Sequence, residues 1–294
     1  MLWAVFTLIA AAAQTARNAM QRELTATLGT VGATHVRFLF GFPFAMLFLA
    51  GVMIVTGAEL TNPRGMFWPW VLTGAFTQIA ATATMLSVMG QRSFVVAYAY
   101  IKTEPVHVAL FGLIFLGDKI TPLAAAAILV ATAGVIVISL KDGAGEATST
   151  RSTIVGLFSG ALFGLSAIGY RGAILSLHLP NFVVAATFTV TVGLVIQAAA
   201  LSLYLALRDA KVLRAIARAW KPSLFAGFMG AFASEFWFLA FAITTAANVR
   251  TLALVEVLFA QGVTHFVFKQ PTTMRESIGI VMVVVGVALL VWAY

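Results

Sequence analysis

The feature that most constrains this chain is a series of long segments without a charged residue. Five of them, residues 38–58, 65–91, 120–140, 152–170 and 277–294, are each close to the length of one membrane-spanning helix. Such a helix needs about 20 apolar residues to cross ~30 Å of hydrocarbon. A sixth uncharged segment, 172–207, is too long for one span. Leu179-Pro180-Asn181 breaks it, so it supplies the end of one helix and the whole of the next.

Four further apolar segments bring the predicted total to ten transmembrane helices: one starting at Leu2, then 94–116, 222–245 and 251–268. Apolar residues make up 61% of the 294 and charged residues only 10%, whereas about a quarter of a soluble domain is charged. Water-soluble enzymes and disordered chains are therefore excluded. The first segment lacks a basic region before its apolar run, so we expect it to remain as a helix and not to be a signal peptide. The predicted fold is an all-α integral membrane protein.

Lysine and arginine are distributed unevenly over the predicted connections. The odd-numbered connections, to which Arg37 is assigned, hold twelve, and the even-numbered ones, to which Arg250 is assigned, hold three. Because basic loops stay in the cytoplasm, both termini are expected outside, with the chain multi-pass in the inner (plasma) membrane. The basic stretch 208–221 is expected to lie along the interface as a short helix. The basic residues do not cluster with stacking aromatic residues, so no nucleic-acid partner is predicted.

The chain contains an internal repeat. Glu104 precedes Gly134 by 30 residues, Glu256 precedes Gly286 by the same interval, and the two pairs are offset by 152. We expect two repeats of five helices, residues 1–145 and 146–294, joined by a polar linker. An odd number of spans per repeat inverts the second relative to the first. Inverted repeats are typical of transporters that hold substrate between the halves and alternate access by rocking.

Two short motifs resemble a known family. Leu116-Gly117-Asp118-Lys119-Ile120-Thr121, after a span carrying Glu104-Pro105, is similar to the end of the fourth helix in ten-helix EamA-type permeases of the drug/metabolite transporter superfamily. The segment Arg37-Phe38-Leu39-Phe40 also resembles that family. The second half departs from the pattern, since Val257 stands where Pro105 is in the first half.

This resemblance implies export of small metabolites or cationic drugs through a central cavity lined by helices of both halves. The aromatic amino-acid exporters are the nearest subgroup. We therefore expect a secondary transporter of small amphipathic metabolites, with aromatic or other neutral amino acids as leading substrates. The alternatives are an uncoupled facilitator, a multidrug exporter of cationic compounds and, more remotely, an integral-membrane enzyme.

Polar residues inside a span need a partner or a function, because burying them in lipid is costly. Gln14, Arg17, Asn18 and Gln21 share one face of the first helix through their spacing of three and four residues, and the first three are candidate substrate ligands. Arg17 is a candidate ligand for a substrate carboxylate through its two-pronged guanidinium; alternatively, it extends to the interface. On the third helix, Gln78 and Thr82 are candidate substrate ligands, and Thr82 has the alternative of bonding its own backbone.

The fourth helix carries the most ionisable residues. Tyr98 and Lys102 share one face as candidate substrate contacts, and Glu104 and His107 share another. Glu104 could exchange a cation for a proton and so couple transport to protons. The alternative is that Lys102 and Glu104 form static ion pairs with the other half, for example with Glu256.

The second half adds Tyr170 and Trp237 as candidate substrate contacts, the latter through stacking on its indole ring. The alternative for Trp237 is a place in the lipid-facing aromatic belt at the interface. Glu235 and Glu256 are its candidate coupling or ion-pair residues. Gly156, Gly160 and Gly164 recur every four residues, which lets another helix approach closely. We expect that contact to be internal, and hence a monomer rather than a dimer.

No chemistry of the soluble enzymes is apparent in the sequence. The chain has no cysteine, and its four histidines show no metal-binding spacing such as His-Glu-x-x-His. We therefore predict no catalytic residue, no metal site and no cofactor. The expected partners are a small-molecule substrate, the lipid bilayer and a coupling proton.

Overall fold

The computed structural model describes residues 1–59, 62–88, 99–139, 150–259, 261 and 273–293, and all regular structure within these ranges is helical. Seven helices there are long and apolar enough to cross a membrane: Glu23–Thr56, Ala99–Leu116, Pro122–Ser139, Thr153–Ser176, Phe182–Arg208, Trp220–Ile243 and Met274–Ala293. The all-α membrane fold is thus confirmed. The count of ten spans stays a prediction.

The described helices are numbered here in chain order. In chain order they are α1 Leu2–Leu39, α2 Phe42–Thr56, α3 Phe67–Val88, α4 Glu104–Phe111 with a π-helical turn Gly112–Leu116, α5 Pro122–Ser139, α6 Thr150–Ser176, α7 Phe182–Arg208, α8 Ala210–Arg218, α9 Trp220–Ile243, α10 Ala246–Leu252 with a 3₁₀ turn Ala253–Val255, and α11 Met274–Ala293.

A break at Gly29 divides α1 into two helical arms. Gly29 has φ 69° and ψ 175°, a conformation that residues with a Cβ rarely adopt. The side chain of Gln21 bridges the break, since its amide nitrogen donates to the carbonyl oxygen of Ala33 over 2.9 Å. The chain stays helical from this break to Leu39, so Arg37 lies inside a helix and not in the predicted connection before residue 38.

Three long helix pairs form the body of the molecule: α1 with α9, α3 with α6, and α5 with α11. Glycine makes the last pair close. A Cβ on Gly134 would come within 2.8 Å of the carbonyl oxygen of Gly279, and a Cβ on Gly279 within 2.7 Å of that of Gly134. The two backbones therefore touch, as expected where small residues meet in a membrane.

The glycine stripe of α6 also faces another helix of the same chain. A Cβ on Gly160 would lie 3.0 Å from the carbonyl oxygen of Ile101, and one on Gly164 would lie 3.1 Å from the Cβ of His107. These positions pack against the fourth-helix region, which is the internal contact that the spacing suggested. The oligomeric state stays a prediction.

The break predicted at residues 179–181 is present between α6 and α7. Helix α6 ends at Ser176, and Asn181 caps α7 by accepting a hydrogen bond from the backbone N–H of Val183 over 2.9 Å. After α7, the basic stretch forms the short helix α8. Its Ile216 is buried in a cluster with Leu24 and Leu28 of α1, so α8 rests on the protein along one side.

Two helices with irregular turns carry the charged side chains at the centre of the molecule. Before α4, the backbone at Lys102 and Thr103 makes tight turns, with the Lys102 N–H donating to the carbonyl of Ala99 over 3.2 Å. Pro105 stands in the first turn of α4, where its missing N–H costs nothing. Helix α10 tightens into a 3₁₀ turn just before Glu256. These irregular segments place four charged side chains in the interior, described below.

Candidate functional site

A polar cavity lies at the centre of the bundle, between helices of both halves of the chain. The space inside it that a water-sized sphere can occupy is about 40 Å³. Its walls combine amides, cations, one carboxylate and large apolar side chains: Gln14, Arg17, Asn18, Arg37, Gln78, Met85, Ile101, Lys102, Glu104, Phe163, Trp237 and Arg250. A smaller chamber, of about 20 Å³ by the same measure, adjoins it through Gln14, Lys102, Glu104 and Arg250 and adds Glu256.

Two ion pairs at this centre each join a residue of the first half of the chain to a residue of the second half. Lys102 pairs with Glu256. In the second pair, the Nε of Arg250 lies 3.0 Å from the Oε1 of Glu104. All four side chains are at most 14% exposed. Each glutamate is thus paired with a cation from the other half, which is the static arrangement that the sequence left as an alternative to proton coupling.

Arg250 also stacks on aromatic rings. Its guanidinium carbon lies 4.5 Å from the centre of the Trp237 ring and 5.4 Å from that of Phe241. The indole N–H of Trp237 donates to the Oε1 of Gln14 over 3.2 Å. Cation–π contact and ion pairing together hold the guanidinium at the cavity wall. Trp237 is 3% exposed, so its ring belongs to the interior and not to an interfacial belt.

Gln78 lies at the end of a buried hydrogen-bond network. Its Oε1 accepts from the Nε2 of Gln197 over 2.9 Å and from the hydroxyl of Tyr170 over 3.4 Å. Tyr170 is 2% exposed and packs on Phe238, with ring centres 4.5 Å apart. Tyr170 therefore stands behind Gln78 and orients it, whereas Gln78 itself reaches the cavity.

Two arginines converge beside Gly230 of α9. A Cβ on Gly230 would lie 3.2 Å from the Cγ of Arg37 and 3.5 Å from the Cδ of Arg17, so the side chains of both arginines pass the same point. Each arginine is only 3% exposed. Arg17 donates to the Oδ1 of Asn18 over 2.7 Å. Arg17 thus lies in the protein interior, as in the ligand hypothesis.

Other predicted site residues lie away from this cavity. Glu235 faces α7, where its Oε1 accepts from the hydroxyl of Thr187 over 2.5 Å. The ring of His107 is 3.1 Å from the carbonyl oxygen of Thr103 on its own helix, and Thr82 is buried on α3. Neither Glu235, His107, Thr82 nor Tyr170 lines the central cavity. Tyr98 lies outside the described residues.

Sequence reasoning missed Arg37 and Arg250 as cavity residues. Both were assigned to connections because they stand between apolar runs, and the count of basic residues treated every such residue as exposed. The structure corrects this: Arg37 lies in the second arm of α1 and Arg250 in α10, and both line the cavity. For Arg37 a signal existed, since no other charged residue occurs between residues 24 and 58. The orientation of the termini, which used that count, stays a prediction.

Residues 1–140 match the family described as EamA-like transporters. This family, whose match covers just under half of the chain, is one of membrane transporters and not of enzymes. It implies a multi-pass membrane transporter with a small-molecule substrate.

The fold of this chain is also found among solved structures. One, described only as the crystal structure of a protein, superimposes with a TM-score of 0.69 over 99% of this chain and 96% of its own length. The two sequences are 13% identical, so this likeness concerns the fold alone. No curated protein matches the chain.

Proposed function

We propose that this transporter carries small organic molecules that combine a carboxylate with an apolar body. The central cavity is the binding site, and alternating access between the two five-helix halves exposes it to each side of the membrane. The amino acids expected from the sequence belong to this substrate class. Export from the cell is the direction that the resemblance implies.

The single observation that carries this proposal is the composition of the cavity wall. Arg17 and Arg37 offer the forked donors that match a carboxylate. Phe163, Ile101 and the indole of Trp237 provide an apolar surface for the rest of the molecule. Ligand sites in general combine mostly apolar walls with a few placed polar groups.

The helix pairing supports two related halves. Suppose that α1 corresponds to α6, as the first and sixth predicted spans, and α3 to α9, as the third and eighth. The pair α1 with α9 is then equivalent to the pair α6 with α3. The pair α5 with α11 is then its own equivalent. Such a two-fold relation is what inverted repeats produce, with substrate held near their interface.

The charge of the cavity also ranks the alternatives. Four cationic side chains around one space repel a cationic drug, so a multidrug exporter of cations is disfavoured. An uncoupled facilitator is the second candidate, because Glu104 and Glu256 are both held in ion pairs. A carboxylate that pairs with a cation of the other half does not need a proton to be neutralised during transport.

Counterflow in proteoliposomes tests the proposal. Vesicles preloaded with unlabelled phenylalanine should take up labelled phenylalanine faster than protein-free vesicles, and other carboxylates should compete. A quaternary-ammonium compound and a nucleoside should not compete. Arg218→Gln on the exposed face of α8 provides a control for reconstitution. Uptake that only the quaternary-ammonium compound inhibits would refute the carboxylate assignment.

A further inference from the structure

Glu235 is a buried carboxylate inside a membrane-spanning helix, and no cation accompanies it. It is 9% exposed and belongs to α9. Its Oε1 accepts from the hydroxyl of Thr187 over 2.5 Å, and its buried Oε2 has no hydrogen-bond partner within the described parts of the chain. None of the ion pairs among the described residues includes it. A carboxyl group in such surroundings avoids the cost of an unpaired charge by binding a proton.

The cations of the central cavity contact the other side of α9. They reach this helix at two positions: Arg17 and Arg37 at Gly230, and Arg250 at Trp237. At 3.6 residues per turn, Glu235 lies about 140° around the helix from the first position and about 160° from the second. Glu235 is therefore separated from these cations by the helix that carries it.

The helices next to Glu235 on this side carry no charge at its level. Helix α2 has no titratable residue. On α7, Tyr204 and Arg208 stand about 25 Å or more along the helix from Thr187. His35 of α1 reaches α7 at Ser202, about 20 Å from the same point. The described residues of α2 and α7 therefore offer the carboxylate hydroxyl groups and no cation.

Two titratable residues of α6 also come near α9, and both have other partners. The ring of Tyr170 packs on Phe238, and its hydroxyl donates to Gln78. The guanidinium of Arg171 is bonded to Asp118, with their atoms 2.9 Å apart. The charged residues of α8 precede the first residue of α9, about 20 Å along that helix from the carboxylate. The hydroxyl on α7 is thus the polar group to which the carboxylate is bonded.

This carboxylate lies where a helix of the first half packs against two helices of the second half. One turn after Thr187, the hydroxyl of Thr191 donates to the carbonyl of Ala45 in α2 over 3.0 Å. On α9, the ring of Phe228 packs edge to face against rings of α2. Phe228 precedes Glu235 by seven residues and so lies on the same face. A movement of one half against the other therefore changes the surroundings of Glu235.

We propose that Glu235 and Thr187 form a proton-binding site that couples export of the substrate to entry of one proton. The inference rests on the proposed transport function and adds its driving ion. A proton from water outside forms an O–H bond with a carboxyl oxygen of Glu235, and that bond breaks when the site opens to the inside and returns the proton to water. The charged form accepts a hydrogen bond from Thr187, and the protonated form donates one to the same hydroxyl.

Accumulation of phenylalanine driven by a pH gradient tests the coupling. Proteoliposomes have an interior one pH unit more acidic than the medium, with the membrane potential clamped at zero. Exchange of one proton per substrate should concentrate labelled phenylalanine about tenfold, since one pH unit is a tenfold difference in proton activity. Glu235→Gln keeps the shape without binding a proton, so it should lose this accumulation and keep phenylalanine counterflow. Glu59→Gln, an exposed acid after α2, should retain both.

The outcomes separate the inference from the proposed function. Counterflow by the parent without pH-driven accumulation would overturn the inference and leave transport standing, as would undiminished accumulation by Glu235→Gln. Loss of both activities in Glu235→Gln would show a structural role and refute coupling. Failure of counterflow in the parent itself would refute the proposed function, and the proton site is then decided by spectroscopy.

Infrared difference spectra recorded against pH detect the bound proton directly. The reconstituted parent and Glu59→Gln should both show the carbonyl band of a protonated carboxylic acid that titrates, and Glu235→Gln should lack it. A spectrum that Glu235→Gln leaves unchanged would refute proton binding there. Thr187→Ser keeps the hydroxyl and should titrate as the parent does, whereas Thr187→Val removes it and should titrate at a different pH. Identical titration of all three would exclude Thr187 from the site.

Discussion

Replacing Glu104 with Gln should destabilise this transporter through the charge of Arg250 that it leaves unpaired. The two charged atoms are 3.0 Å apart, and the side chains are 14% and 10% exposed. At an effective dielectric constant near 20, two unit charges at that distance attract by about 5.5 kcal/mol. Removing one partner of a buried pair costs about 3–5 kcal/mol. Because this pair borders a cavity, we expect the lower end, about 3 kcal/mol.

The measurement is thermal unfolding of the protein in nanodiscs, followed by intrinsic tryptophan fluorescence. A loss of about 3 kcal/mol lowers the unfolding temperature by about 6 °C in a chain of this size. Arg250→Gln should lower it similarly, with an additional loss of its stacking on Trp237. The double variant should recover more than half of the summed loss, because neither charge is then left unpaired.

A double variant as unstable as the sum of its parents would refute this reasoning, since it would mean that the two side chains do not interact. The same variants decide between coupling and static pairing. If Glu104 carries the coupling proton, Glu104→Gln keeps phenylalanine exchange but loses accumulation driven by a pH gradient. If the pair is static, both activities survive in molecules that remain folded.

Three further perturbations have defined outcomes. Arg171→Gln removes a 2.9 Å hydrogen bond to Asp118 and should cost about 2 kcal/mol in unfolding measurements; adding Asp118→Asn should cost little more, and a fully additive loss would contradict the pairing. Gly134→Ala places a methyl group 2.8 Å from backbone atoms of α11 and should lower the unfolding temperature by several degrees, whereas Gly51→Ala, with open space around it, should be neutral; equal effects would argue against close packing there. Trp237→Phe loses the indole N–H and part of the cation–π contact, so counterflow should slow several-fold and Trp237→Ala should slow it further; unchanged rates would remove Trp237 from the site.

Much of the cavity lining could be predicted from the sequence, because a polar residue in a membrane helix faces the protein interior and not the lipid. Gln14, Arg17 and Asn18 were found from their helical spacing, and Lys102 and Glu104 from their position within an apolar span. All five line the cavity. The prediction depended only on the cost of exposing such groups to lipid.

The same reasoning did not tell which buried polar residues line the cavity and which lie elsewhere in the interior. Tyr170, Glu235 and Thr82 are buried as polar residues in spans should be, but they are not on the cavity wall. Tyr170 and Glu235 are hydrogen-bonded to side chains of neighbouring helices. Helical periodicity identifies a face; it does not tell whether that face meets a neighbouring helix or an open space.

The sequence by itself determined that this protein is surrounded by lipid and that its secondary structure is helical. Uncharged segments of about 20 residues are stable only as helices in lipid, because backbone groups there must satisfy one another. Tertiary structure alone decided where Arg37 and Arg250 lie. Whether a cation between two apolar runs is exposed in a loop or buried in a cavity depends on where the flanking helix ends and on what packs against it. Here both cations lie within helices and line the cavity. Arg250 pairs with Glu104 and Arg37 packs beside Gly230, so the contacts that hold them join residues more than a hundred positions apart in the chain.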